Sequence, residues 1–374
     1  MEKTQTPRRA PRRRRNGLVI LRRSLLVFFT LIILVVIGLC MVCNLIFNGP
    51  SESARDVLTM SMLESSGMKW FPGIFIGNDK VQQIQENISA TLPNDVSGSD
   101  SVVIKPDNSL TDAEWKDHPD GIRIEYVYGD TYNAYVMLIR NPADVYMATS
   151  TEKFSTSIAG ERIHLQIEKE GAIAAINAGA FFDNGTSSSV VGSVPEGLVI
   201  AGGEVVWNSG KAPEEGFVGF NEDNIMVVAK TMTAEKAMEL KIRDGCCFGP
   251  VLIMDSTVNE EAYNSNSGWN PRTAIGQRAD GTVIFLCIDG RQAGSLGGSY
   301  ADIIDIMMEF GAVNACNLDG GSSTVMLYRD AYGLYTDADK PWGNDIAMIN
   351  NYSLLQKEPR RMPTFFMVRP GSED

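Results

Sequence analysis

Two apolar runs end in the same dipeptide. Val283 to Ile288 leads into Asp289-Gly290-Arg291, and Val313 to Leu318 leads into Asp319-Gly320-Gly321-Ser322-Ser323-Thr324. Between them, Ser299 and Asp302 have capping-box spacing, and Ile303, Ile304, Met307 and Phe310 fall on one face of a helix. In a strand, helix, strand unit with parallel strands, the right-handed crossover brings both strand ends to one sheet edge, where such sheets bind ligands. Two carboxylates facing one crevice can do general acid and base work. Asp-Gly is also a common turn dipeptide, and Asp319-Gly320-Gly321 would serve to turn the chain into a strand at Val325 to Tyr328. Both readings stay open at this point.

Three further groups could join such a site. Arg272, in Asn270-Pro271-Arg272-Thr273, follows a loop and precedes an apolar run, and a guanidinium fork there suits a phosphate or a carboxylate, the alternative being a surface arginine. Asn177 ends the run Ala174-Ala175-Ile176 and could bind a sugar hydroxyl, or could simply tie the turn. Phe181 could stack on a sugar face or belong to the core. The chain has two histidines, His118 and His164, so a Ser-His-Asp triad or a His-rich metal site is not expected. No P-loop and no dinucleotide glycine fingerprint occurs. The six cysteines show no metal-ligand spacing, and only the vicinal pair Cys246-Cys247 is ambiguous.

The elements that must position these residues read as an α+β chain, a mixed β-sheet core with flanking helices preceded by one transmembrane helix. Residues 1–24 are a basic tail. Leu25 to Phe47 carries no charge, and at about 1.5 Å per residue it can cross the roughly 30 Å hydrocarbon core. The first 48 residues hold nine Lys or Arg against one acid, Glu2, in a chain of net charge −13, so the remainder is strongly acidic. That asymmetry predicts a signal-anchor in the cell membrane with a cytoplasmic N-terminus and an extracellular C-terminal part, and it disfavours a nucleic acid partner. Residues 48–116 read as stalk and linker, with short helices over 51–92 and a polar stretch from Pro93 to Ala113. A domain follows over 117–374. It starts with a hairpin over Gly121 to Arg140 and continues with strands at 172–176, 197–200, 204–207, 251–254, 283–288 and 313–318. Helices are expected at Ser155 to Lys169, Ala234 to Arg243 and Ser299 to Phe310. Glycosylation sequons begin at Asn87, Asn184 and Asn351.

The ordered blocks INAGAFF (176–182), FGPVLI (248–253), NPRTAIG (270–276), FLCIDGR (285–291), GAVNACNLDGGSSTVML (311–327) and RRMPTFFMV (360–368) resemble the phosphodiester glycosidase family. The likeness runs from about Gly121 to the C-terminus. Ala178-Gly179-Ala180 and Ser322 depart from the glycines more usual there. The resemblance implies hydrolysis of the bond between an anomeric sugar carbon and a phosphodiester, without metal or cofactor. It implies Asp319 as the catalytic carboxylate, Asp289 as its support or a second acid/base, Arg272 and Arg291 on the phosphate, and Asn177 and Asn317 on the sugar. Phe181, Thr273, Gly290, Gly320, Gly321, Ser322 and Ser323 complete the implied substrate-binding set. The substrate would be a glycan or glycophosphodiester of the cell envelope or an exopolysaccharide. A non-catalytic polysaccharide-binding or assembly protein is the alternative, and a metal-dependent phosphoesterase ranks behind it.

Overall fold

The apolar N-terminal run forms one long helix, α1 (Arg14–Asn48), whose stretch from Leu21 to Asn48 is long and apolar enough to cross a membrane. Three short helices follow it: α2 (Glu52–Leu63), α3 (Phe71–Ile76) and α4 (Asn78–Glu86). The structure is a computed structural model and describes residues 14–63, 68–86, 95–98, 103–105, 113–182, 192–210, 216–329, 345–351 and 358–371. The tail before Arg14, most of the Pro93 to Ala113 linker and the sequons at Asn87 and Asn184 lie outside the described residues.

The expected hairpin is present as β1 (Ile122–Tyr128) and β2 (Asn133–Ile139), with Tyr128 opposite Asn133. Then come β3 (Val145–Thr149), α5 (Ile163–Glu170), β4 (Ala174–Asn177), β5 (Leu198–Ala201), β6 (Glu204–Asn208), β7 (Phe217–Asn221) and β8 (Met226–Ala229). After them run α6 (Ala234–Glu239), β9 (Ile242–Cys247), β10 (Val251–Met254), β11 (Thr257–Val258), α7 (Glu260–Asn264), β12 (Arg272–Arg278) and β13 (Val283–Ile288). The last elements are α8 (Tyr300–Glu309), β14 (Ala312–Leu318), β15 (Met326–Arg329), β16 (Ile346–Met348) and β17 (Thr364–Val368).

The class is α+β. The strands form a seven-stranded sheet ordered β1-β2-β13-β12-β14-β10-β11 and two five-stranded sheets, β16-β15-β4-β17-β3 and β6-β5-β9-β7-β8. Each sheet turns one face to a shared core. Val283, Phe285 and Cys287 of the first sheet meet Ile176, Met326 and Phe366 of the second and Val199, Val218 and Cys246 of the third. The alternate residues face outward under one helix per sheet. Ile284, Leu286 and Ile288 lie beneath Ile303, Ile304 and Met307 of α8, α5 covers Ala175, Leu327 and Phe365, and Ala237 of α6 packs beside Leu198 and Phe217. This two-residue period explains why β13 is apolar throughout, since both of its faces are buried. Removing a ring such as Phe285 from the shared core costs about 3–5 kcal/mol.

Two helices are shorter than their sequence periodicity suggests. Over Ser155 to Lys169 only the part from Ile163 is helical; Gly160 lies against the carbonyls of Gly192 and Met362, where a helix cannot pass. The helix starting at Ala234 stops at Glu239, because Lys241 takes a positive φ of 52° and turns the chain into β9.

Candidate active site

The crossover through α8 makes β13 and β14 run in the same direction, but they are not neighbours. β12 lies between them, antiparallel to both, with Arg272 opposite Ile288 on one side and Thr273 opposite Leu318 on the other. The residue just before β12, Pro271, is therefore flanked by both Asp-Gly pairs. A Cβ on Gly290 would stand 2.5 Å from the nitrogen of Pro271, and one on Gly320 would stand 2.7 Å from its carbonyl oxygen. The amide of Gly321, at φ 62°, donates to that same oxygen at 2.8 Å. Three backbones converge here, and the glycines are required by the close approach rather than by hairpin turns. Asp289 and Asp319 leave the sheet on either side of Pro271, two strand spacings or about 10 Å apart.

Asp289 is buried, with 1% of its surface exposed. Its carboxylate accepts the Tyr135 hydroxyl at 3.0 Å, the Asn351 amide nitrogen at 3.2 Å, Asn351 Nδ2 at 3.0 Å and Asn350 Nδ2 at 3.3 Å. Burial raises its pKa above the ordinary carboxylate range, against the downward pull of those donors. Burial and the neighbouring Asp289 charge in turn push the Tyr135 phenol upward, so it remains a donor at neutral pH. The backbone is fixed as well: the amide of Asp289 donates to the Asn133 carbonyl, and Ser295 Oγ donates to the carbonyl of Asp289 at 2.7 Å. This carboxylate forms part of a small, open cleft whose other walls are Pro271, Gly290, Gln292, Gly321, Ser322, Thr324, Asn350 and Asn351. The buried Thr324 Oγ1 has no hydrogen-bond partner among the described residues.

Asp319, Asn177 and Thr273 form a second network. Asn177 Nδ2 donates to the carbonyl of Asp319 at 2.6 Å, and its Oδ1 accepts from Thr273 Oγ1 at 2.9 Å and from the Val325 amide at 3.2 Å. The amide of Asp319 donates to the Ala178 carbonyl. Asn177 is thus a fastener joining β4, β12 and the loop after β14. Asp319 is half-buried and does not line the cleft. Asn317 Nδ2 donates to the Gly249 carbonyl at 2.8 Å, while its Oδ1 and the Ser323 Oγ are buried without partners among the described residues.

The arginines divide. Strand alternation turns Thr273 and Ile275 to the interior and Arg272 and Ala274 to the α8 side. The Arg272 guanidinium lies 4.5 Å over the Tyr300 ring and donates to the carbonyls of Gly298, Ser267 and Gly268. It is 2% exposed and holds the loop that delivers Pro271. Arg291 is exposed, takes φ 57°, and donates to Asn270 Oδ1 at 2.9 Å. Arg360 lies 4.8 Å over the Phe181 ring and donates to Ser322 Oγ at 3.1 Å, on the wall of the cleft.

Of the residues singled out from sequence, Asp289, Gly290, Gly321 and Ser322 line one cleft, with Gly320 behind them against Pro271. Sequence reasoning missed Tyr135, Asn350, Asn351, Gln292, Thr324 and Arg360. Tyr135 alone carried a signal: it shares the inward face of β2 with Met137 and Ile139, and a buried tyrosine hydroxyl needs a partner. Among the described residues no three His, Cys, Asp or Glu side chains gather as a metal site. Cys246, Cys247, Cys287 and Cys316 are buried free thiols whose pKa values burial raises, that of Cys247 to about 12.

The sequence profile of the phosphodiester glycosidase family matches residues 170–369. An uncharacterised protein derived from the SPbeta prophage of Bacillus subtilis (strain 168), YomE, is 27% identical over 235 residues, 62% of this chain and 34% of that protein; the chain thus spans about a third of this relative's length. The catalytic domain of zebrafish N-acetylglucosamine-1-phosphodiester alpha-N-acetylglucosaminidase, auto-inhibited by its pro-peptide, matches with a TM-score of 0.53 at 18% identity. That match covers 72% of this chain and 86% of the zebrafish domain and is a likeness of fold. A hypothetical protein from Synechocystis matches with a TM-score of 0.46 at 15% identity, over 66% of this chain and 62% of that one.

Proposed function

The chain belongs to the phosphodiester glycosidase family, and from that premise we propose that it hydrolyses sugar-1-phosphodiester linkages in the cleft beside Asp289. The observation that carries this reading is a buried carboxylate beside a cleft edged by Ser322, Thr324, Asn350 and Asn351, oriented by three side chains and raised in pKa by burial. Asp289 takes a proton from water as the water oxygen bonds to the anomeric carbon. The bond from that carbon to the phosphate oxygen breaks, and the phosphate ester leaves with the electron pair. Such a leaving group is a stable anion that needs little protonation and is best served by positive charge. Arg360 and Arg291 supply that charge in this reading, and Ser322 holds Arg360 in position. Asp319, about two strand spacings away and outside the cleft lining, adds its negative charge to the field at the oxocarbenium-like state. Arg272 acts indirectly, by fixing the loop before Pro271, and Asn177 with Thr273 fixes the backbone of Asp319. Phe181 serves as the platform for Arg360.

The same proposal places the chain in the cell membrane. Residues 25–47 act as a signal-anchor below a stalk and linker over 48–116, and the domain over 117–374 works outside the cytoplasm on cell-envelope or exopolysaccharide glycans. The deciding experiment incubates the purified full chain with sugar-1-phosphodiesters and with plain aryl phosphates, with and without chelator. Release of free sugar and a phosphate monoester from the first set alone is the expected result. Glycan binding without any release would make the protein a polysaccharide-binding or assembly factor instead.

A further inference from the structure

The helices between the apolar span and the catalytic part carry two contacts that the hydrolase reading does not use. Phe47, in the last turn of α1, is buried and stacks on Phe75 of α3 at 5.1 Å, and Phe71 lies 5.3 Å from Phe75. Asn48 Nδ2 donates to the Phe75 carbonyl at 3.4 Å. α3 is therefore seated at the end of α1, and beside this aromatic knot Trp70, just before α3, and Ile74 within it are 65% and 63% exposed, with Met68 next to them. The charge-free run of α1 starts just after Arg22 and Arg23 and, at about 1.5 Å per residue, crosses a hydrocarbon core of roughly 30 Å by about Phe47. The exposed tryptophan and isoleucine then sit at the depth where aromatic side chains favour the membrane interface.

The second contact joins these helices to the site. Trp269 donates its amide to Ser61 Oγ of α2 at 3.1 Å, and Ser61 Oγ donates to the Trp269 carbonyl at 3.4 Å. Gly268, at φ 75°, lies so close to α2 that a Cβ there would stand 2.5 Å from Ser61 Oγ and 2.8 Å from the Val57 carbonyl. The same loop is gripped by Arg272 and ends at Pro271, which lines the cleft. Chain length sets the reach: the linker after Asn48 and the part of α2 up to Ser61 span at most about 25 Å.

We infer that α2, α3 and α4 form a collar that lies in the outer headgroup layer through Trp70 and Ile74. The collar clamps the 267–271 loop, so that the cleft stands within a few tens of ångström of the bilayer and takes membrane-anchored glycophosphodiesters as its substrate class. The substrate clause rests on the hydrolase reading above; the collar does not. The test uses the full chain in nanodiscs containing brominated phospholipid, which quenches tryptophans at the interface. Wild-type emission is quenched and Trp70→Phe removes most of that quenching; equal quenching in both proteins overturns the collar. In the same nanodiscs, kcat/KM is compared for a sugar-1-phosphodiester with a lipid aglycone and for one with a short soluble aglycone. The lipid-anchored substrate is turned over at least about tenfold faster, and Trp70→Ser with Ile74→Ser erases that advantage while leaving the soluble substrate's rate unchanged. Equal rates on the two substrates overturn the substrate clause. Turnover of neither removes the hydrolase reading and the substrate clause with it, while the quenching result decides the collar by itself.

Discussion

Replacing Asp289 by asparagine separates the chemistry of the cleft from its architecture. The carboxylate accepts four hydrogen bonds, from Tyr135, Asn350 and twice from Asn351. An amide at the same place keeps one accepting oxygen and turns an NH2 toward donors, so at least one donor loses its partner, at a cost of about 1–3 kcal/mol. Against this, the variant no longer buries a charge whose desolvation already raises the carboxyl pKa. The two effects oppose each other, and the net loss of stability at neutral pH is expected to stay within about 2 kcal/mol. Turnover of a sugar-1-phosphodiester is expected to fall about 10²-fold or more, because the proton acceptor is gone. The pH dependence has a definite sign. A carboxyl whose pKa is raised by folding contributes stability below its unfolded pKa, near 3.9, and loses that contribution as pH rises through the folded value. Thermal melts of the variant should therefore improve relative to wild type as pH rises from about 4 through the raised folded value. Wild-type kcat/KM should rise with pH along a limb set by the raised pKa. Undiminished turnover in Asp289→Asn would refute the reasoning, and a collapse in melting temperature with a lost cleft would mean that the residue is architectural.

Tyr135→Phe removes a donor that lowers the Asp289 pKa, so the acid limb of kcat/KM against pH should move upward while the fold persists. Gly320→Ala puts a methyl group against the Pro271 carbonyl and should cost about 1–3 kcal/mol, read as a lower denaturation midpoint. Arg272→Lys replaces a fork that serves three carbonyls by a point charge; its signature should be a drop in melting temperature with little change in KM, whereas a raised KM alone would place Arg272 on the substrate.

Much of the fold was legible because its strongest signals are local. The β1-β2 hairpin shows as alternation around Gly129-Asp130, α8 is marked by its Ser299 cap and apolar face, and β13 is an uninterrupted apolar run. What was not legible is pairing. The strand, helix, strand pattern gives the common direction of β13 and β14, but nothing local in it says that β12 inserts between them. Nor could it reveal that Asn350 and Asn351, some sixty residues after Asp289, return to its carboxylate. A hydrogen-bond partner brought in from another sheet leaves no periodic trace.

Arg272 shows the same limit from the opposite side. An arginine at the mouth of a strand beside two Asp-Gly ends reads as a phosphate ligand when only composition is considered. The two-residue period turns its side chain toward α8, once the inward face of β12 is fixed by Thr273 and Ile275. Arg272 then faces α8 and spends its donors on the 267–268 and 298 carbonyls. Arg360, in contrast, sits in no periodic element and reaches the cleft through Ser322 and the Phe181 ring. A buried guanidinium whose donors serve carbonyls has few left for a phosphate, whereas one that spans a hydroxyl on the cleft wall and an aromatic face keeps its charge near the cleft. In the proposed hydrolase reading, the positive charge of the cleft therefore comes from the loop before β17 rather than from the start of β12.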